Sequence, residues 1–159
     1  LEDLAHVFRI CTFPNALVVR ADHPARTLAE FIDLARSRPG ELRYGSAAIG
    51  SAGHLTGTLL EQRAGLKLLH VPYKGIAPAT ADLLGGAIDA MFDGLPTAMQ
   101  QQSAGRVRLL AVTSAQRVPR LPEVPALAEL APGAIGLGWF GVSAPARTPT
   151  AVMDRIEQE

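Results

Sequence analysis

The sequence predicts an α/β fold in which a mostly parallel sheet is flanked by helices. Short apolar runs alternate with helical segments of roughly 8–12 residues, which is typical of strand–helix–strand units. Glycine and proline mark most boundaries between these segments. The 159 residues are 48% hydrophobic and 19% charged, a globular composition with enough apolar side chains for one compact core.

Apolar runs bounded by turn residues predict the strands. The first two runs meet at Pro14-Asn15, and Val107–Val112 is the clearest buried strand. The predicted strands are Phe8–Phe13, Ala16–Val19, Leu42–Tyr44, Leu68–Val71, Ile88–Phe92, Val107–Val112 and Leu137–Val142.

Capping residues and helical spacing predict the helices. Thr27-x-x-Glu30 is a capping box, and apolar residues follow it at helical spacing until Pro39-Gly40 ends the segment. Thr148-Pro149 introduces the last helix, with proline at its first position. The other predicted helices are about His54–Ala64, Ala79–Leu84, Pro96–Ser103 and Ala126–Leu130.

Composition excludes several classes of function. Lys+Arg and Asp+Glu both number 15, so no basic surface is available to hold nucleic acid. Cys11 is the single cysteine; it cannot form an internal disulfide, and it fits the cytosol and the periplasm equally. No segment has the ~20 apolar residues that span a bilayer. The start, Leu1–His6, is not a signal peptide and is typical of the interior of a longer protein, so we expect an excised fragment.

The loop Gly45–Gly53 is the first candidate ligand site, because α/β sheets bind ligands at the carboxyl ends of their strands. Its small side chains let a ligand approach the backbone, and free N–H groups at the start of the following helix favour an anion. Ser46 and Ser51 can add hydroxyl donors. No Gly-Lys-Ser/Thr follows, which favours a carboxylate over a nucleotide. The alternative is a tight turn in which Ser51 is an ordinary N-cap.

Two further strand ends supply the other candidates. Tyr73 and Lys74, after Val71, would offer a hydroxyl and a cation; alternatively Tyr73 is partly packed and Lys74 is solvated. Asp93 closes a strand and either accepts a hydrogen bond from a ligand's amine or hydroxyl, or caps the helix that begins near Pro96.

Other sequence patterns give weaker indications of a functional site. Gly136–Gly141 matches G-x-G-x-x-G, but it lies in a strand-like segment with no helix opening behind it, so we discount a dinucleotide site. A Ser51–His54 dyad would make a small hydrolase, whereas His54 on the first helical turn packs or bonds locally. His70 is interpreted as a core histidine, and the histidines lack metal-ligand spacing, so neither metal nor cofactor is expected.

Several short strings, in order along the chain, resemble the substrate-binding proteins of tripartite tricarboxylate transporters, often called Bug proteins. Each string alone is weak, and their joint order and spacing make the match specific. The strings are Leu42-Arg-Tyr-Gly-Ser, Gly50-Ser51-x-x-His54-Leu55, His70-Val-Pro-Tyr-Lys-Gly75, Pro78-Ala79-x-x-Asp82-Leu-Leu-x-Gly86, Met91-Phe92-Asp93, Leu110-Ala-Val-Thr113, Leu121-Pro-x-Val-Pro125 and Trp139-Phe-Gly-x-x-Ala-Pro145.

The resemblance implies a periplasmic protein with a two-domain, Venus-flytrap fold, of which this chain is one lobe. Its ligand would be a small carboxylate, such as a di- or tricarboxylate, an acidic amino acid or an aromatic acid, and its partners the membrane subunits of the transporter. Ala48 stands where members of the family commonly carry glycine. The ligand-binding residues expected from the loops and the resemblance together are Ser46, Ala47, Ala48, Gly50, Ser51, His54, Tyr73, Lys74 and Asp93.

The resemblance also implies a division of the chain. Residues 1–20 would be a crossover strand with a remnant of the first lobe, residues 21–138 the second lobe, and residues 139–159 the return strand and a helix of the first lobe. A single lobe buries one side of a ligand, so we expect weak or absent binding by this chain alone. Uncovered apolar segments, Phe8–Val19 and Trp139–Val142, predict self-association. The alternative function is the effector-sensing domain of a transcription regulator.

Overall fold

The computed structural model describes residues 3–158. Its strands are β1 Leu4–Arg20, β2 Arg43–Ser46, β3 Leu69–Pro72, β4 Ala90–Gly94, β5 Val107–Val112 and β6 Leu137–Pro145. Its α-helices are α1 Leu28–Ser37, α2 Ala52–Ala64, α3 Ile76–Gly85, α4 Leu95–Ser103 and α5 Thr150–Gln158, and Leu127–Glu129 forms a 3₁₀ turn. The predicted elements are present with ends that shift by a few residues, except that Phe8–Phe13 and Ala16–Val19 belong to one strand and the predicted helix Ala126–Leu130 is only a 3₁₀ turn.

The sheet is mixed, with strand order β3-β2-β4-β1-β5. β2 pairs in parallel with β3 and β4, whereas β1 runs antiparallel to β4 and β5. The α/β class and the flanking helices are confirmed. The expectation of a mostly parallel sheet was wrong for the pairings of β1, because an apolar run carries no information about strand direction.

β1 passes through Pro14 without a break, so the predicted turn at Pro14-Asn15 was wrong. Proline is tolerated in a strand where no ladder hydrogen bond is needed from its nitrogen. The pairing of β1 with β4 begins one residue later, at Asn15, opposite Gly94. β6 also pairs with β1.

The chain divides into two compact units, Pro14–Leu137 and the remaining described residues, 3–13 with 138–158. The larger unit holds two apolar clusters, one on each face of the sheet. Phe31 of α1 and Leu60 of α2 belong to the first cluster, and Leu83 of α3 and Ala98 of α4 belong to the second. Alternation along each strand assigns neighbouring side chains to opposite faces.

The smaller unit is built on β6 and the first part of β1. The rings of Phe13 and Phe140 lie 4.9 Å apart, and His6 Nδ1 lies 2.9 Å from Ser143 Oγ. No residue of α5 is buried, and Trp139 and Phe140 are 58% and 62% exposed. Within residues 3–158, no helix combines the length and the apolar character needed to cross a membrane.

Candidate functional site

The three predicted loops open at one edge of the sheet. Because β2 lies between β3 and β4 and parallel to both, their carboxyl ends align. Ser46 is level with Pro72 in the register, and Gly45 is level with Met91. The juxtaposition expected from the sequence is therefore present in the structure, and it follows from the parallel part of the sheet.

Two of these loops are joined through their backbones. The Tyr73 N–H donates to the Ser46 carbonyl at 3.0 Å, and the Gly75 N–H donates to the Ala47 carbonyl at 2.8 Å. Gly75 has φ of 108°, a conformation that side-chain-bearing residues rarely adopt. These two hydrogen bonds attach the segment after β3 to the loop after β2.

The start of α2 provides a set of backbone donors. Ser51 is the N-cap, and its Oγ accepts the His54 N–H at 3.4 Å. Within the described part of the chain, the N–H groups of Ala52 and Gly53 have no hydrogen-bond partner, as expected for the first turn of a helix. These donors and the helix dipole favour an anion at this point.

Glycines bring α2 close to the sheet and so position its first turn. A Cβ on Gly53 would stand 3.0 Å from Phe92 Cβ, and one on Gly57 would overlap the Tyr44 ring. The helix therefore lies against β2 and β4 at its N-terminal end. Ala48 has a negative φ like every other described non-glycine residue, so alanine fits the loop without backbone strain.

Ser46, His54 and His70 form a cluster on the α2 face of the sheet. Ser46 is fully buried; its Oγ donates to the Ala48 carbonyl at 3.0 Å and lies 2.7 Å from His70 Nε2. His54 and His70 stack with ring centroids 4.1 Å apart. His70 is half-buried and engaged at the loop, so its interpretation as a core histidine was wrong. The buried Ser46 hydroxyl is closed to a substrate, and Ser51 caps a helix, so neither serine is placed as a nucleophile.

Tyr73 packs against the α3–α4 cluster, on the opposite face of the sheet. Phe92 lies in the α1–α2 cluster, so its neighbour Asp93 faces the other way. The Tyr73 hydroxyl donates to Asp82 Oδ2 at 2.6 Å, and burial together with this bond raises the pKa of Tyr73 to about 12. Tyr73 therefore fixes its loop to α3. Lys74 is exposed and, within residues 3–158, forms no ion pair.

Asp93 is 4% exposed, and burial raises the pKa of its carboxyl group, against a smaller lowering by the Gly94 N–H. The N-cap of α4 is Gly94, without a side-chain cap, so the interpretation of Asp93 as an N-cap residue was wrong. A buried carboxyl with so little compensation is typical of a functional position rather than of a stabilising one.

Asp93→Asn is expected to stabilise the ligand-free protein at neutral pH. Because the pKa of Asp93 is raised on folding, the unfolded state ionises first as pH rises above its usual value of 3.8, and the native state loses stability there. The stability gained by the Asp93→Asn variant should disappear at pH values well below 3.8. Thermal unfolding from acid to neutral pH measures it, with exposed Asp33→Asn as control. A variant equally or less stable than the wild type at neutral pH would contradict this.

Sequence reasoning missed two residues at the same edge. Thr113 follows β5 and is fully buried, and its Oγ1 accepts the Asn15 N–H at 2.8 Å. Asn15 is also buried and lies level with Gly94 in the register. The strand-end rule could have found Thr113, whereas Asn15 lies within β1, where its pairing with β4 begins, and no local signal marks it. No cluster able to hold a metal ion exists among residues 3–158.

The whole chain, residues 1–159, matches the family described as the tripartite tricarboxylate transporter family receptor. The chain belongs to this family. Its curated relatives include the UPF0065 protein in the tcbD-tcbE intergenic region of Pseudomonas sp. (strain P51), 45% identical over 99% of this chain and 48% of that protein. The chain spans about half the length of the curated relatives that it matches along its whole length.

Solved structures of relatives share the fold. R. palustris Rpa4515 with adipate is 41% identical with a TM-score of 0.90, over 97% of this chain and 52% of that one. MatC (Rpa3494) from Rhodopseudomonas palustris with bound malate is 26% identical with a TM-score of 0.86, over 98% of this chain and 53% of that one. The predicted family and the predicted fold, one lobe of a periplasmic-binding-protein-like architecture, are confirmed. This receptor family gives no support to a transcription-regulator domain.

Proposed function

We propose that this chain supplies one wall of a carboxylate-binding site in a periplasmic solute receptor, which delivers its ligand to the membrane subunits of a tripartite tricarboxylate-type transporter. The observation that carries the proposal is the pair of N–H groups at the start of α2, on Ala52 and Gly53, which have no hydrogen-bond partner among residues 3–158. They stand at the sheet edge where the three loops converge, and they suit a carboxylate group.

The relatives support the same ligand class. Adipate and malate, the ligands named for two of the similar structures, are both dicarboxylates. The loop Gly45–Gly53 offers backbone N–H donors and carries no charged side chain, so we expect it to bind a carboxylate by amide donors more than by ion pairs. Of the nine expected residues, we propose that Ala47, Ala48, Gly50 and Ser51 of the loop surround such an anion.

The division into lobes follows from this proposal. Residues 21–138 would form the second lobe, and residues 1–20 and 139–159 would connect it to a first lobe that completes the site. The tertiary unit Pro14–Leu137 supports a boundary near these positions. Closure of two lobes is what would bury a carboxylate on both sides and exclude water.

Calorimetry on the protein at its natural length tests the proposal. We expect micromolar or tighter binding of at least one member of a panel of di- and tricarboxylates, acidic amino acids and aromatic acids. The amide or alcohol analogue of that ligand, which lacks the charge, serves as control and should bind at least about tenfold more weakly. No binding across the panel would refute the proposal. The 159-residue chain alone should bind the same ligand more than about a hundredfold more weakly.

Self-association of the 159-residue chain is a second expectation. Trp139 and Phe140 are both more than half exposed, and neighbouring large aromatic side chains favour contact between copies. Sedimentation at high concentration should show dimers that a Trp139→Ser/Phe140→Ser variant loses. Leu130→Ser, which removes a side chain that is 47% exposed, is the control and should leave the dimers in place. A monomer at every concentration would contradict this.

A further inference from the structure

The side chain of Asn15 is a buried amide without a partner in the described part of the chain. Asn15 is 5% exposed, and its hydrogen bonds among residues 3–158 all involve its backbone. Gln101 Oε1 is the one side-chain polar atom of these residues that is sealed from solvent without a partner, so the Asn15 amide still reaches the surface. A buried amide that forgoes its hydrogen bonds destabilises a fold, and it therefore calls for a functional explanation.

The backbone of Asn15 is held in place by Thr113, the buried residue that follows β5. The Asn15 N–H donates to Thr113 Oγ1 at 2.8 Å, and the Thr113 N–H donates to the Asn15 carbonyl at 2.9 Å. Thr113 Oγ1 in turn donates to the Gly136 carbonyl. These bonds satisfy the backbone of Asn15 and leave its side-chain amide free, which is the arrangement of a preorganised binding group.

Alternation along β1 directs the Asn15 side chain to the face of the sheet that α2 covers. Leu17, two residues further along β1, belongs to the apolar cluster of α1 and α2, so Asn15 faces the same way. Phe92 of β4 lies level with Leu17, and a Cβ on Gly53 of α2 would stand 3.0 Å from Phe92 Cβ. Asn15 lies nearer to the edge of the sheet, level with Gly94. The amide is therefore on the face, and at the edge, where α2 begins.

A second contact attaches the surroundings of Asn15 to the same helix. A Cβ on Gly136 would overlap Thr56 Oγ1, so the segment that is bonded to Thr113 passes directly beside the second turn of α2. The Gly136 N–H also donates to the Thr113 carbonyl at 3.0 Å. Thr113 and Gly136 thus fix the position of Asn15 relative to the N–H groups that begin α2.

We propose that the Asn15 side chain is a further ligand-binding group, whose Nδ2 donates a hydrogen bond to the carboxylate held at the start of α2. This role rests on the proposed function. The amide nitrogen carries two donors and no charge, so it adds to the neutral N–H donors of Ala52 and Gly53 without forming an ion pair. Thr113 is the positioning residue for this group. The site then extends beyond the three strand-end loops to β1.

Asn15→Leu removes the amide and keeps a branched side chain of similar size. Because the amide has no partner among residues 3–158, the melting temperature should stay the same or rise. The affinity for adipate and malate should fall about tenfold to a hundredfold, the usual effect of losing a hydrogen bond to a charged group. Calorimetry and thermal unfolding of the protein at its natural length measure both.

Gln101→Leu is the matched control for this variant. It removes the amide oxygen that is sealed without a partner near the C-terminal end of α4, and it should leave the affinity for both dicarboxylates unchanged. Equal affinities of Asn15→Leu and the wild type would overturn the inference. A clear fall in the melting temperature of Asn15→Leu would show that the amide stabilises the fold, and it would overturn the inference as well.

Asn15→Asp distinguishes a donor from an acceptor. Aspartate keeps Oδ1 and nearly the same shape, but it replaces the two N–H donors with a charged oxygen. Both adipate and malate should therefore bind this variant more weakly than they bind Asn15→Leu. If Asn15 Oδ1 instead accepted the hydroxyl of malate, Asn15→Asp would keep the affinity of the wild type for malate, and that result would overturn the inference.

A spectroscopic measurement separates this role from the proposed function. Asn15 is the single asparagine of the 159 residues, and in the protein of natural length its side-chain NH₂ resonances are those that disappear in Asn15→Leu. Adipate should shift them downfield at the concentrations at which it binds, and the uncharged diol of the same length should not. Binding without a shift would overturn the inference and leave the proposed function in place. Absence of carboxylate binding by the wild type would refute both.

Discussion

Ala52→Asp is expected to weaken carboxylate binding by about tenfold to a hundredfold without unfolding the protein. Ala52 is the first residue of α2, and its N–H is one of the two donors there that have no partner in the described part of the chain. A side-chain carboxylate there would occupy those donors and repel the ligand's charge, and like charges about 4 Å apart near a protein surface cost about 4 kcal/mol before solvent screening reduces it. At a helix N-terminus the same aspartate is favourable by about 0.3–1 kcal/mol, so the melting temperature should not fall.

Ala52→Asn is the matched control for this result. Asparagine has nearly the same size and shape but no charge, so it should weaken binding much less than aspartate does. Calorimetry with adipate and malate at neutral pH, together with thermal unfolding of both variants, gives the comparison. Equal affinities for Ala52→Asp and the wild type would mean that the ligand does not bind at the start of α2.

Gly57→Ala is expected to destabilise the protein by about 1–3 kcal/mol, the usual effect of overfilling a packed core. The added Cβ would overlap the Tyr44 ring. That ring is 1% exposed and packs 4.9 Å from His70 and, edge-on, 6.0 Å from Phe92, so it has no free space into which to move. The helix must shift away from the sheet, and the melting temperature should fall by several degrees.

Gly85→Ala is the control for the destabilisation expected from Gly57→Ala. It shows whether that destabilisation comes from the packing of the added Cβ or from any replacement of a helical glycine. Gly85 ends α3, and a Cβ there would meet no atom within 4 Å. Alanine should therefore leave stability unchanged or raise it by up to about 1 kcal/mol, through its higher helix propensity. Thermal or denaturant unfolding compares the two variants. Similar melting temperatures for Gly57→Ala and Gly85→Ala would contradict the close approach of α2 to β2.

The sequence determined those features that depend on a few neighbouring residues. Thr27 Oγ1 accepts the Glu30 N–H at 3.2 Å at the start of α1, as the capping box predicted. Gly65 ends α2 with φ of 62°, and Gly136–Gly141 runs into β6 instead of opening a helix, as its strand-like pattern indicated. Each of these is decided by backbone conformations and capping bonds within one turn or strand.

The sequence also located the three loops of the candidate site, because the carboxyl ends of parallel strands meet at one edge wherever such strands pair. It could not show that Ser46 is buried under His70, that the Tyr73 hydroxyl is bound to Asp82, or that Asp93 lies on the other face. Those contacts join residues from different elements. Their identity depends on which strand lies alongside and in which register.

The tertiary structure alone decided the direction of β1 and the place of Asn15 beside Thr113. It also stacked His54 on His70, residues that sequence reasoning had interpreted separately. Helix caps, turns and apolar periodicity involve a few neighbouring residues, so they can be recognised in the sequence. Strand direction and the facing of side chains are set by the packing of segments far apart in the chain, which no local pattern specifies.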